Sequence, residues 1–237
     1  MNDTRTLDNQ INKAAFWSAI IFFIFVVPSL FLPLDSPDGP FAERVTWLSS
    51  NIGTFIAAWI VQMILMLTLS AVFAGAIWQI SNNYPLRAII SGAVVLISVV
   101  AFIIPKFIAV WSIPLMVEAV SAESGGSDIA EQLLNLLSIS LPFSLFTSFD
   151  YLGFWLYAIF SLLLARPLYH LTLSAKITAF CFGAYGLLFH VMLVGILAGA
   201  VAQAEIGVYA GAIGGLLFVG VIGLAFHFKR TMSSEVK

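Results

Sequence analysis

The sequence predicts an all-α protein: a polytopic transmembrane bundle of six helices with a short outer interfacial helix. Of its 237 residues, 61% are hydrophobic and only 9% are charged, whereas an ordinary soluble domain carries roughly 25% charged residues. The mean hydropathy is +1.03. Six apolar runs are long enough to cross a bilayer core about 30 Å thick, which takes roughly 20 helical residues. None of the runs alternates between apolar and polar residues as a membrane β-strand does.

This composition also excludes several classes of protein. So few charged residues cannot cover the surface of a water-soluble enzyme of this size, and a disordered chain would be far less apolar. The net charge is −2 and there is no basic stripe, which excludes a nucleic-acid-binding protein. The single cysteine, Cys181, excludes an internal disulfide framework and a cysteine-rich metal site. We therefore expect contact with a lipid bilayer, no cofactor and no nucleic acid.

The six apolar runs are predicted to be the spans of one domain, 1–237. Their predicted bounds are 14–34, 52–80, 86–104, 149–165, 177–201 and 208–228. The first apolar core of about 20 residues is longer than the 7–15 residues of a typical signal-peptide core, and no small-residue cleavage site follows it. We therefore expect the first run to remain as an uncleaved anchor.

Two outer connections carry predicted helical segments. A short turn is expected from Pro40, because proline suits the first position of a helix. In the longer connection, 105–148, Asp128 is followed three residues later by Glu131, as in a capping box. Apolar residues then recur at helical spacing. This pattern predicts an amphipathic helix over 128–140, on the outer leaflet or capping the bundle, that Pro142 brings to an end.

The basic residues are divided unevenly between the two sides of the predicted bundle. An even number of spans puts both termini on one side, which then holds eight basic and three acidic residues. The other side holds two basic and nine acidic residues. The two sides together account for all ten basic and all twelve acidic residues of the chain. Basic residues concentrate on the cytoplasmic side of membrane proteins. The sequence therefore predicts cytoplasmic termini and a bacterial inner (cytoplasmic) membrane location.

Glycines recur every four residues in the last two predicted spans. Gly195 and Gly199 lie in the fifth, and Gly207, Gly211 and Gly215 lie in the sixth. Small residues at this spacing let two helix backbones approach closely. Two interpretations follow: these glycines pack the fifth span against the sixth, or the same face forms a homodimer or binds a membrane-protein partner.

His190 is the clearest ionisable residue at membrane depth. It lies about 13 residues into the fifth span, roughly 20 Å from the cytoplasmic boundary, on a face shared with Gly183 and Gly186. With an unperturbed pKa near 6.5, a histidine there is suited to accept a proton or bind a ligand. The alternative is a neutral histidine that makes one interhelical hydrogen bond. Gln62, at a compatible depth in the second span, is the expected partner.

Lys106 and Asp150 form the second candidate site. They flank the predicted connection between the third and fourth spans, so each is expected to neutralise the other near the outer interface. The simple interpretation is a structural ion pair or a lysine that reaches water. The functional interpretation is a polar opening to a cavity between these spans.

The sequence contains no motif of a metalloprotease, a hydrolase or a nucleotide-binding protein. The three histidines, His170, His190 and His227, do not pair at one depth to bind haem. No catalytic residue is therefore predicted.

The stretch Leu152–Leu188 carries a recognisable combination of features. A helix containing Leu156 and Tyr157 ends in a short basic loop with Arg166 and Pro167, and a glycine-rich helix follows. This combination resembles an uncharacterised bacterial six-span membrane family. The third span departs from that family's arginine and glutamate pattern. The resemblance implies a fold and a topology but no chemistry.

The leading hypothesis is a non-catalytic membrane protein, either an accessory subunit or a scaffold, because buried ionisable groups are few and glycine-rich packing faces are prominent. The alternative is a small carrier or binding protein for an apolar or weakly polar ligand, with its cavity near His190, Gln62 and the Lys106–Asp150 opening. Secondary transporters commonly contain internal repeats, and none is evident between the first and last three spans. An intramembrane enzyme ranks third.

Overall fold

The computed structural model describes residues 2–37, 39–122, 125–139 and 144–234. Within these ranges the chain forms seven α-helices and one short 3-10 helix, with no strand, which confirms the predicted all-α class. The helices are α1 Asn2–Ser29, α2 Phe41–Ser81, α3 Pro85–Ser121, α4 Ser127–Leu136, α5 Leu145–Tyr169, α6 Leu173–Leu197 and α7 Ile206–Ser234. All except α4 are long and apolar enough to cross a membrane, as expected of an integral membrane protein.

Each of the six long helices extends beyond its predicted span at one end or both, and α2 and α3 show the physical reasons. The helical turn predicted from Pro40 is continuous with α2, which begins at Phe41 instead of residue 52 and bends at Asn51, where φ is −119° and ψ is 16°. Helix α3 continues through Pro105 and Pro114 to Ser121, beyond residue 104, where the predicted span ends. Membrane helices tolerate proline because neighbouring groups satisfy the freed carbonyl.

Helix α4 forms where an outer helix was predicted, but it begins differently. Its N-cap is Gly126, at φ +100°, and no side chain caps it, so the capping box of Asp128 and Glu131 is not formed. The left-handed conformation suits glycine, which has no Cβ. The helix ends at Leu136, before the predicted residue 140, and Ser140 and Pro142 lie outside the described residues.

The contacts divide the chain into two compact units. Unit 1 comprises the described residues of Met1–Phe23, Leu67–Ser98 and Phe154–Lys237, and unit 2 those of Ile24–Met66 and Val99–Gly153. In unit 2 the core joins α2, α3, α4 and the start of α5. Its buried members are Val45, Leu48, Phe55, Trp59, Ala109, Ile113, Val117, Leu134, Leu137 and Phe146.

In unit 1, α6 and α7 form a tight helical hairpin. Thr178 Oγ1 donates a hydrogen bond to the Gly220 carbonyl, at 2.9 Å. A Cβ on Gly223 would collide with Thr178 Oγ1, and one on Gly220 would lie 2.6 Å from the Phe182 ring. Glycine is therefore required at both positions, because only a bare backbone fits this close to α6.

The other end of the same hairpin is packed very differently. Between residues 193 and 216, no side chain that the structure describes is buried, whereas α7 is largely buried from Leu217 to Phe228. We call residues 193–216 the distal hairpin. Its side chains are available to lipid or to another protein.

Candidate functional site

His190, on α6, makes two hydrogen bonds through its ring. Its Nε2 accepts from Trp155 Nε1 at 3.2 Å, and its Nδ1 lies 2.7 Å from the Gly186 carbonyl oxygen. A tryptophan N–H can only donate, and a carbonyl can only accept. Nε2 is therefore unprotonated and Nδ1 carries the proton, so this geometry holds a neutral imidazole with both nitrogens occupied.

The bond between His190 and Trp155 joins α6 to α5. The two helices come close together at Gly186, where a Cβ would lie 2.9 Å from the Ala158 carbonyl oxygen. This arrangement favours the interpretation of His190 as a hydrogen-bonded structural histidine. The proposed partner Gln62 lies in unit 2, half-buried on α2, and its pairing with His190 stays a prediction.

Lys106 and Asp150 form the ion pair that the sequence suggested. Lys106 Nζ lies 2.7 Å from Asp150 Oδ1, and the two side chains are 3% and 22% exposed. The ammonium also lies over the rings of Phe102 and Trp59, at 5.1 and 5.9 Å from their centroids. Carboxylate and aromatic faces together offset the cost of burying the lysine charge.

Gly153 is the position that makes this arrangement possible. It follows Asp150 by nearly one turn of α5, and a Cβ there would lie 2.6 Å from the Phe102 ring. The glycine therefore lets α5 approach α3 closely enough for a short bond from Asp150 to Lys106. The partial exposure of Asp150 is compatible with the polar opening considered above, and that role stays a prediction.

A small cavity that Trp59 helps to line lies inside the core of unit 2. Its volume is about 20 Å³, and its lining includes Asp35, Arg44, Trp59, Leu134 and Ser138. Ser138 Oγ donates to Asp35 at 2.8 Å, and Arg44 lies 3.7 Å from the same carboxylate. Trp59 Nε1 is buried and has no acceptor among the described residues. The space suffices for about one water molecule and is too small for an organic ligand.

The structure also buries hydroxyl groups that the sequence analysis did not single out. In unit 1, Tyr157 OH lies 2.9 Å from Ser70 Oγ, and His227 Nδ1 lies 2.8 Å from Thr172 Oγ1. Serine and threonine are common in membrane helices, so the sequence carries no specific signal for these contacts. Within the described part of the chain, no three histidine, cysteine or acidic side chains are grouped to bind a metal.

The predicted packing glycines do not pack α7 against α6 in the described residues. Gly207, Gly211 and Gly215 are exposed, and a Cβ on any of them would meet no atom within 4 Å. Gly199 has φ +70° just beyond the end of α6, and a Cβ on Gly195 would lie 2.9 Å from Val201 Cγ2. Gly195 and Gly199 thus shape the turn after α6, while Gly207, Gly211 and Gly215 form an open row on α7.

No protein-family model, curated protein or solved structure matches this chain. The resemblance to an uncharacterised bacterial six-span family therefore has no support from known families, proteins or structures. The described structure contains six helices that are long and apolar enough to cross a membrane, as in an integral membrane protein.

Proposed function

We propose that this chain is a single-domain, six-span protein of a bacterial inner membrane, with cytoplasmic termini, that acts as an accessory or scaffold subunit. Its task is to bind a transmembrane helix of another membrane protein or of a second copy of itself. The observation that carries this proposal is the distal hairpin, whose described side chains are all at least partly exposed.

The glycine row lies within this distal hairpin. Gly207, Gly211 and Gly215 present bare backbone, and the exposed residues Val208 and Tyr209 flank them along α7. Inside a membrane there is little hydrophobic force between helices, so helices associate through close packing at small residues. An uncovered row of this spacing is suited to receive a partner helix.

The inward-facing polar groups support the same proposal. His190 and Lys106 both use their polar atoms in contacts within their own units. A carrier that binds its ligand through the His190 ring would have to break one of these hydrogen bonds. An accessory role leaves them intact.

The test is purification from native membranes in a gentle detergent, followed by mass spectrometry and a measurement of complex mass. We expect a stoichiometric partner or a dimer for the wild-type protein, and its loss in Gly211→Leu, because the leucine fills the docking face. The matched control is Gly92→Leu on α3, since a Cβ on either glycine meets no atom within 4 Å. A wild-type protein that purifies alone, or a complex that survives Gly211→Leu, contradicts the proposal.

A further inference from the structure

An open groove lies between α2 and α3 in unit 2. Its volume is about 570 Å³, and small organic molecules bind in pockets of about 300–1,000 Å³. Ile52 and Ile56 in its wall pack against the buried core of unit 2, so this part of the groove is already formed. The lining includes Ser49, Ile52, Ile56, Leu115, Glu118 and Ser121.

The groove is polar at one end and apolar at the other. Helices α2 and α3 are joined by a short turn and run in opposite directions. On α2, Ser49 precedes Ile56 by seven residues, which is about 10 Å along the helix axis. On α3, Glu118 and Ser121 follow Leu115. The antiparallel register therefore puts the serines and the carboxylate at one end and the apolar side chains at the other.

Glu118 has no basic partner in the described part of unit 2. The two chain segments of this unit contain eight acidic residues but only two basic ones, Arg44 and Lys106. Arg44 lies 3.7 Å from Asp35, and Lys106 lies 2.7 Å from Asp150. Because both bases are engaged with aspartates, the exposed carboxylate of Glu118 lines the groove without a counter-charge from its own unit.

We propose that this groove binds a small amphiphilic amine, with its ammonium group beside Glu118 and its apolar body along Ile56 and Leu115. A primary ammonium carries three N–H donors. The Glu118 carboxylate and the hydroxyl groups of Ser49 and Ser121 offer acceptors at that end of the groove. The apolar walls add affinity because contact with them removes apolar surface of the ligand from water.

The same features disfavour larger occupants. A phosphatidylethanolamine molecule would bring its phosphate close to Glu118, and like charges in contact oppose binding. Unit 2 of a second copy offers no free base to this carboxylate, because Arg44 and Lys106 pair within the unit. A partner helix would contact so short a groove over only about two turns. A free small amine therefore fits both the charge and the size of the groove.

The experiment compares three molecules that share one apolar body: phenylbutylamine, phenylbutanol and phenylbutyrate, which are cationic, neutral and anionic at neutral pH. The full chain is held in phosphatidylcholine nanodiscs, and binding is measured by surface plasmon resonance. Empty nanodiscs correct for partition into the lipid. We expect the amine to bind most tightly and the carboxylate most weakly, because only the amine complements the charge of Glu118.

One pair of variants tests the carboxylate. An exposed ion pair changes an affinity by up to about fivefold. Glu118→Gln should therefore weaken binding of the amine by about two- to fivefold and leave binding of the alcohol unchanged. The matched control is Glu131→Gln, since Glu131 is an exposed carboxylate on α4 outside the groove. It should change neither affinity.

A second pair of variants tests the apolar end. Leu115 in the groove and Leu133 on α4 are 54% and 41% exposed, respectively, so replacing either with alanine should leave the fold intact. We expect Leu115→Ala to weaken the amine and the alcohol by the same factor, because both use the same apolar wall. Leu133→Ala should change neither.

Three results would each overturn the proposal. Equal affinities for the amine and the alcohol, or an amine affinity that Glu118→Gln does not lower, would show that the carboxylate binds no ammonium group. Loss of amine binding in nanodiscs that contain phosphatidylethanolamine would show that a lipid occupies the groove. Partner binding is measured separately, through Gly211, so failure of one proposal leaves the other standing.

Discussion

At the scale of single residues, the unequal burial of Lys106 and Asp150 predicts unequal costs when each is replaced. Asp150→Asn leaves an ammonium that is 3% exposed without its counter-charge, and removing one partner of a buried pair costs about 3–5 kcal/mol. Lys106→Met leaves a carboxylate that is 22% exposed and keeps some contact with water. We expect the free energy of unfolding, measured by denaturing-detergent titration, to fall more for Asp150→Asn than for Lys106→Met.

The double variant Lys106→Met/Asp150→Asn serves as the control, because it buries no unpaired charge. Its stability should exceed that of Asp150→Asn alone. If Asp150→Asn is as stable as the wild-type protein, the ion pair contributes nothing and the lysine reaches water by another route.

These residues also show how far single-residue prediction reaches. The pairing of Lys106 with Asp150 is predictable because the chain offers few charges to choose from. The bond from Trp155 to His190 is not predictable, since it depends on how α5 and α6 are rotated about their axes. That rotation follows from packing details such as the approach of Gly186 to Ala158, and the pairing of His190 with Gln62 stays a prediction.

At the scale of elements, the apolar runs are located well from sequence but their ends are not. The rule that proline ends a helix predicts that α3 stops near Pro105. Instead, Ala109, Ile113 and Val117 continue one buried stripe beyond it. The energy of packing that stripe into the core of unit 2 outweighs the lost backbone hydrogen bond, and a local rule contains no information about it.

The glycines of α7 illustrate the same limit. Their spacing predicts a close helix contact, but it cannot say which glycines meet α6. The structure uses Gly220 and Gly223 for that contact and leaves Gly211 uncovered. The close fit of Gly220 against Phe182 becomes visible only when both helices are placed.

Helix α4 offers a direct test of which of its faces belongs to the core. The adjacent leucines 133 and 134 are 41% and 5% exposed, respectively. We expect Leu134→Ala to lower the free energy of unfolding by about 2–5 kcal/mol, since it opens a cavity in the core of unit 2. The neighbouring Leu133→Ala should change it by less than about 0.5 kcal/mol. A larger loss for Leu133→Ala would show that the opposite face is buried.

At the scale of the whole molecule, the distribution of charge predicts how the chain is oriented in its membrane. Among the described residues of unit 1, Lys13, Arg87, Lys176 and Lys229 lie near one set of helix ends. The opposite ends of α6 and α7 carry an acidic residue, Glu205. Basic residues resist translocation across the membrane, so the first set of ends is proposed to be cytoplasmic.

Thiol labelling tests this orientation in intact cells. The native Cys181 is buried, so an introduced cysteine gives the main signal. Ser127→Cys, at the start of α4, should react with an impermeant maleimide from outside. Asn83→Cys, in the exposed turn between α2 and α3, is the control and should react only after lysis, because six spans put that turn on the side of the termini. The reverse pattern would establish the opposite orientation.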